Sequence, residues 1–80
     1  MEFVIYRDKE YKVKKNKLSL KKLGIADINE IEGLGNLSNL EELDLSNNKI
    51  TVIKGLDNLA DLKTLNLSKN RISEIKGLKA

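Results

Sequence analysis

Eighty residues, 40% hydrophobic and 34% charged with a net charge of +3, make one domain near the size at which a single core becomes marginal. The sequence has no Cys and no His, so it carries no disulfide or thiolate, and it lacks the commonest general base and transition-metal ligand. No apolar run matches a signal peptide or the ~18–20 residues of a membrane span, and the chain reads as a soluble cytoplasmic protein.

In chain order, residues 2–6 (Glu-Phe-Val-Ile-Tyr) and 10–14 (Glu-Tyr-Lys-Val-Lys) are β-prone and flank Arg7-Asp8-Lys9, which predicts a β-hairpin within residues 1–17. All three aromatic residues, Phe3, Tyr6 and Tyr11, lie here, so the rest of the core must be built from Leu and Ile. Residues 1–22 hold eight Lys/Arg against three Asp/Glu, a net of +5, and residues 23–80 hold seven against nine, a net of −2. A stripe of Lys between Tyr11 and Lys22 suits nucleic-acid phosphates. It lacks interleaved Arg and exposed aromatics, however, and a solvated edge that discourages strand aggregation accounts for the same residues better.

From Leu18 onward the apolar spacing changes. Leu18-Ser19-Leu20 alternates as a short strand does, and Leu23, Ile25, Ile28, Ile31, Gly33 and Leu34 follow. Residues 37–58 then match residues 59–80 at an offset of 22 with eleven identities, among them Leu37/Leu59, Leu40/Leu62, Leu43/Leu65, Leu45/Leu67, Asn48/Asn70 and Ile50/Ile72. Shared positions are almost all apolar, Gly or Asn, and differing ones are mostly polar. The first set is what a buried face requires, and the second is what water tolerates. Leu43-Asp44-Leu45 and Leu65-Asn66-Leu67 alternate as half-buried strands, whereas Leu37 and Leu40 are three apart, as in one turn of a tight helix. Asn48 and Asn70 fall where a side-chain amide can satisfy backbone groups within and between layers.

The pattern Leu40-x-x-Leu43-x-Leu45-x-x-Asn48-x-Ile50-x-x-Ile53-x-x-Leu56, repeated over 59–78, resembles the leucine-rich repeat in its 22-residue class, as in protein phosphatase 1 regulatory subunits and a dynein light chain. The resemblance implies an α/β fold: a short curved solenoid, with a parallel sheet on its concave side and 3-10 or α turns on its convex side. It covers residues 18–80 as three units, about 18–36, 37–58 and 59–80. The first unit is longer, with an insertion of three residues around Ile28–Glu30, and carries Leu23 where Asn is expected. The hairpin then serves as an N-terminal cap, since an end layer otherwise shows its core to water.

Strand leucines that point inward leave three columns facing out: Lys17, Glu42 and Thr64; Ser19, Asp44 and Asn66; Lys21, Ser46 and Ser68. In leucine-rich repeats this face commonly docks other proteins, so it is the candidate binding site. Ser, Asp and Asn are equally ordinary solvated residues, and Lys17 beside Glu42 suggests simple neutralisation. The last unit has no matching cap, which leaves Leu62, Leu65, Leu67, Ile72 and Ile75 as a candidate end-to-end homodimer surface. Truncation of a longer array and a designed or purely structural module without an evolved partner are the alternatives. No catalytic, metal or cofactor site is expected: Glu41, Glu42 and Asp44 diverge as strand neighbours, and Gly33-Leu34-Gly35 lacks the rest of a phosphate loop.

Overall fold

A computed structural model describes residues 2–75, except for the side chain of Ile75. Strands β1 (Phe3–Tyr6) and β2 (Lys9–Lys12) pair antiparallel, from Phe3 opposite Lys12 to Tyr6 opposite Lys9. The connection is only Arg7-Asp8, both with left-handed backbone at φ 51° and 66°. A two-residue turn of this hand matches strand twist, and it draws Lys9, expected in the turn, into β2. A second turn of the same kind, Lys15-Asn16 at φ 52° and 62°, lets Lys14 and Lys17 exchange backbone hydrogen bonds of 2.9 Å.

The main sheet is parallel, in the order β3 (Lys17–Ser19), β4 (Glu42–Asp44), β6 (Thr64–Asn66). Leu18, Leu43 and Leu65 align across it. Turns that return the chain between these strands contain tight i to i+3 bonds, including Leu40 N–H to Leu37 O at 3.0 Å and Leu62 N–H to Leu59 O at 3.1 Å. The return path also holds a second parallel pair that the leucine spacing did not foretell, β5 (Val52–Ile53) with β7 (Glu74–Ile75). In the first unit the three extra residues Ile28–Glu30 instead wind into a 3-10 helix, capped by Asp27 Oδ1 accepting from Asn29 N–H at 2.9 Å. A further 3-10 helix spans Leu34–Asn36.

One hydrophobic cluster runs through all of this, from Val4 and Tyr6 of β1 through Leu20, Ile25 and Leu40 to Leu45, Ile50 and Leu59. The hairpin is tied to the first unit by Ile5, which exchanges hydrogen bonds of 3.0 and 2.8 Å with the backbone of Glu32. Gly33 follows this contact at φ 90°, a left-handed backbone that an L side chain rarely adopts, and a Cβ there would meet Phe3 O at an ordinary 3.5 Å, so the backbone conformation rather than crowding calls for glycine.

Asn48 and Asn70 clamp successive layers. Asn48 Oδ1 accepts from the N–H groups of Leu23 and Ile25, each at 3.0 Å, and its Nδ2 donates to Leu20 O, Leu45 O and Ser46 O at 2.9–3.1 Å. Asn70 repeats the arrangement one layer on, accepting from Ile50 N–H at 3.0 Å and donating to Leu45 O at 2.8 Å and Leu67 O at 3.1 Å. The first unit, with Leu23 in place of Asn, is therefore served by the Asn of the second.

Burial thins along the stack. Leu40, Leu43, Leu45 and Ile50 are fully buried, whereas their counterparts Leu62, Leu65, Leu67 and Ile72 are half-buried. The side chain of Ile75, the fifth residue expected on this face, lies outside the described residues.

Tyr6 buries its ring but finds no partner for its hydroxyl among the described residues, while the Arg7 guanidinium lies 5.3 Å from the ring centre. Burying an unbonded hydroxyl costs about 1–3 kcal/mol. Tyr6→Phe keeps the ring and removes that cost, so it should raise stability by about 1 kcal/mol in urea unfolding; a loss of stability would show that the hydroxyl is bonded in solution.

Candidate protein-binding groove on the three-stranded sheet

The strand alternation that turns Leu18, Leu43 and the half-buried Leu65 inward turns the residues on either side of them outward. Lys17, Glu42 and Thr64 form one column in register, and Ser19, Asp44 and Asn66 form the next. Lys17 Nζ stands 3.4 Å from a carboxylate oxygen of Glu42 at an exposed position.

The third column departs from expectation. Lys21 and Ser68 are exposed, but Ser46 is only 4% exposed and offers no surface to a partner. Its strand ends at Asp44, so the period-2 alternation that would turn Ser46 outward no longer applies. Asp44 Oδ1 instead accepts from Ser46 N–H at 2.9 Å, and Asn66 Oδ1 accepts from Ser68 N–H at 3.0 Å and from Ser68 Oγ at 2.9 Å. These side chains close the turn after their own strands, which leaves them less free for a ligand than their column suggests.

Hydrogen bonds from the Ser46 side chain and then its backbone N–H hold the Asp44 carboxyl below its ordinary value of 3.8, with burial opposing and the charge of Lys21 assisting. A carboxylate whose folded pKa is depressed stabilises the fold above its unfolded pKa, and the contribution is lost as pH falls through the folded pKa. Asp44→Asn keeps the turn geometry seen at Asn66 and removes the titration. Any stability advantage of the parent over this variant at pH 6 should therefore shrink as pH falls below 3.8 and vanish only below the depressed folded pKa, in urea unfolding across that range. A constant difference across the range would contradict it.

Floor and wall together enclose a groove of about 1060 Å³. The floor is Lys17, Ser19, Glu42, Asp44, Thr64 and Asn66, and the wall is the β2 segment Glu10–Lys12 with Lys14 and Lys15. Tyr11, for which core of the cap is the expected role ahead of a binding anchor, is the functional residue missing from the expected columns. Half-buried against the core, it also lines the groove, with Lys9 Nζ 5.6 Å from its ring centre. Its signal was the alternation of Tyr11 and Val13 with Lys, which shows one face packed and the other wet.

Among the described residues no group of three or more His, Cys, Asp or Glu is placed to hold a metal ion. No described helix is long and apolar enough to cross a membrane. The family description "Leucine Rich repeats (2 copies)" matches residues 18–51 and again residues 38–80, together well over half of the chain. The chain is a leucine-rich repeat protein. Its parallel sheet, short 3-10 turns and repeated Asn clamps fit that family's α/β architecture. Leucine-rich repeat domains generally mediate protein–protein interaction and are typically not enzymes. No curated protein matches the chain.

Proposed function

We propose that this leucine-rich repeat protein is a protein-binding module that takes its partner in the groove across β3, β4 and β6. In this reading residues 18–80 are three layers of a 22-residue-class solenoid, residues 1–17 cap the first, and the hairpin doubles as one wall of the site. The observation that carries it is the groove of about 1060 Å³, whose wall sets the half-buried Tyr11 beside a floor of exposed and half-buried polar residues. Clefts that combine a rigid aromatic with adaptable polar groups are suited to macromolecular contact.

The test is affinity capture with quantitative mass spectrometry, comparing the parent, Glu42→Lys/Thr64→Lys in the groove floor, and Asp57→Lys on an exposed turn elsewhere. Asp44 is left intact because it closes a turn. A partner retained by the parent and Asp57→Lys but reduced at least tenfold by the groove variant supports the reading. Equal retention by all three overturns it.

A second reading rests on the half-buried Leu62, Leu65, Leu67 and Ile72 and on the outer edge of β6, which pairs with no strand among the described residues. A second copy set against this layer forms a homodimer by burying those flanks. Sedimentation should then show a dimer that Ile72→Asp dissociates; a parent that stays monomeric at high concentration sinks the idea.

A further inference from the structure

We propose that the edge of the stack formed by the turns after β3, β4 and β6 is a second interaction surface, separate from the groove, that binds an extended acidic segment of a partner protein. Each of these turns has a left-handed residue at the equivalent position, Lys22 at φ 59°, Asn47 at φ 58° and Lys69 at φ 55°, and the first turn adds Gly24 at φ 72°. The three turns therefore start away from the sheet in the same way. Backbone bonds hold them in line, Lys22 N–H to Ser46 O at 3.2 Å and Asn47 N–H to Ser68 O at 2.9 Å.

The result is a shallow depression of about 450 Å³, lined by Lys22 and Gly24 from the first layer, Asn47 and Lys49 from the second, and Lys69 and Arg71 from the third, over the clamps Asn48 and Asn70. Four cations meet there, and none of the lining residues is a carboxylate. The Lys17–Glu42 and Lys54–Asp27 ion pairs lie elsewhere. The Asn48 and Asn70 amides are committed to backbone groups, so the polar chemistry left for a ligand at this edge is predominantly positive charge.

Geometry favours a polypeptide over a nucleic acid as the anion. All three aromatic rings of the chain belong to the hairpin, so none borders this edge to stack on a base. Four cations also fall short of the 6–10 phosphate contacts that typical duplex binders make. An extended peptide presents alternate side chains on one face about every 6.7 Å, and layers recur about every 4.8 Å. The flexible stems of Lys and Arg span that difference.

The experiment uses the full chain and a fluorescein-labelled decapeptide of alternating Glu and Ser, with labelled oligo-dT of twenty nucleotides as the competing class, read by fluorescence anisotropy at 50 mM salt. The edge variant is Lys49→Glu/Arg71→Glu, chosen because neither residue has a left-handed backbone, and the groove control is Lys14→Glu/Lys17→Glu. Should the edge variant melt earlier, Lys49→Gln/Arg71→Gln takes its place. The expected result is peptide binding that the edge variant weakens at least tenfold and the groove control changes less than threefold. Three results overturn the proposal: no peptide binding, equal losses in both variants, or oligo-dT bound more tightly than the peptide. Because the groove variants are read separately, failure here leaves the groove reading standing, and the reverse holds too.

Discussion

Asn48→Ala is expected to lower the free energy of unfolding by about 3–5 kcal/mol, and Asn70→Ala by about 1–2 kcal/mol. Asn48 is 7% exposed, and its amide is the hydrogen-bond partner of the Leu23 and Ile25 N–H groups and of the Leu20, Leu45 and Ser46 carbonyls. Alanine at this position leaves two N–H groups without their acceptor in a place that water reaches poorly. Each such group costs about 1–3 kcal/mol. Asn70 makes the same class of bonds but is half-buried, so water can replace much of what is lost. A domain of this size sits near the low end of the usual range, at about 5 kcal/mol. Asn48→Ala should therefore keep no more than about 2 kcal/mol and lose its folded baseline at the lowest urea concentrations, whereas Asn70→Ala should still show a full urea transition by circular dichroism. Equal losses would mean that the last layer is as well shielded as the middle one.

The second large effect lies in the leucine columns. Leu45→Ala should cost about 3–5 kcal/mol, because Leu45 is fully buried and its truncation leaves a cavity that neighbours on every side hold open. Leu67→Ala removes the same atoms from the equivalent position of the next unit and should cost only about 1–2 kcal/mol, since Leu67 is half-buried and water already covers part of it. Urea unfolding of the two variants side by side measures the contrast. If it vanishes at high protein concentration and returns on dilution, a second copy is burying the last layer, which ties this measurement to the proposed self-association.

What could be read in advance, and what could not, follows from where burial imposes a pattern. Leu18, Leu43 and Leu65 must face one interior, so their spacing carried the register of the main sheet directly. The Asn column was legible for the same reason, since a buried amide recurs only where backbone groups recur to meet it. Which layer each Asn serves was not legible, because that depends on distances between units. The β5–β7 pair escaped because each of those strands spans only two residues, too few for alternation to show. The burial of Ser46 escaped because side-chain alternation says nothing beyond the end of a strand. At the hairpin, the turn residues Arg7 and Asp8 lack the Asn-Gly signature that usually marks a left-handed pair, so the turn was drawn one residue too long. Tyr11 reads first as core of the cap, from its place in a β-prone segment that alternates with Lys. That it also walls the groove depends on how the hairpin sits against β3, which strand propensity does not encode.

The direction of the Asn clamps has a consequence for how this protein is made. Leu23 and Ile25 leave the ribosome more than twenty residues ahead of Asn48, the side chain that accepts their N–H groups. The turn after β3 is thus completed only once the following unit has been made, and folding should trail translation by at least that unit. In a stalled nascent chain whose segment outside the ribosome ends just before Asn48, those two amides should exchange with solvent deuterium freely, and lengthening that segment past Asn48 should slow them.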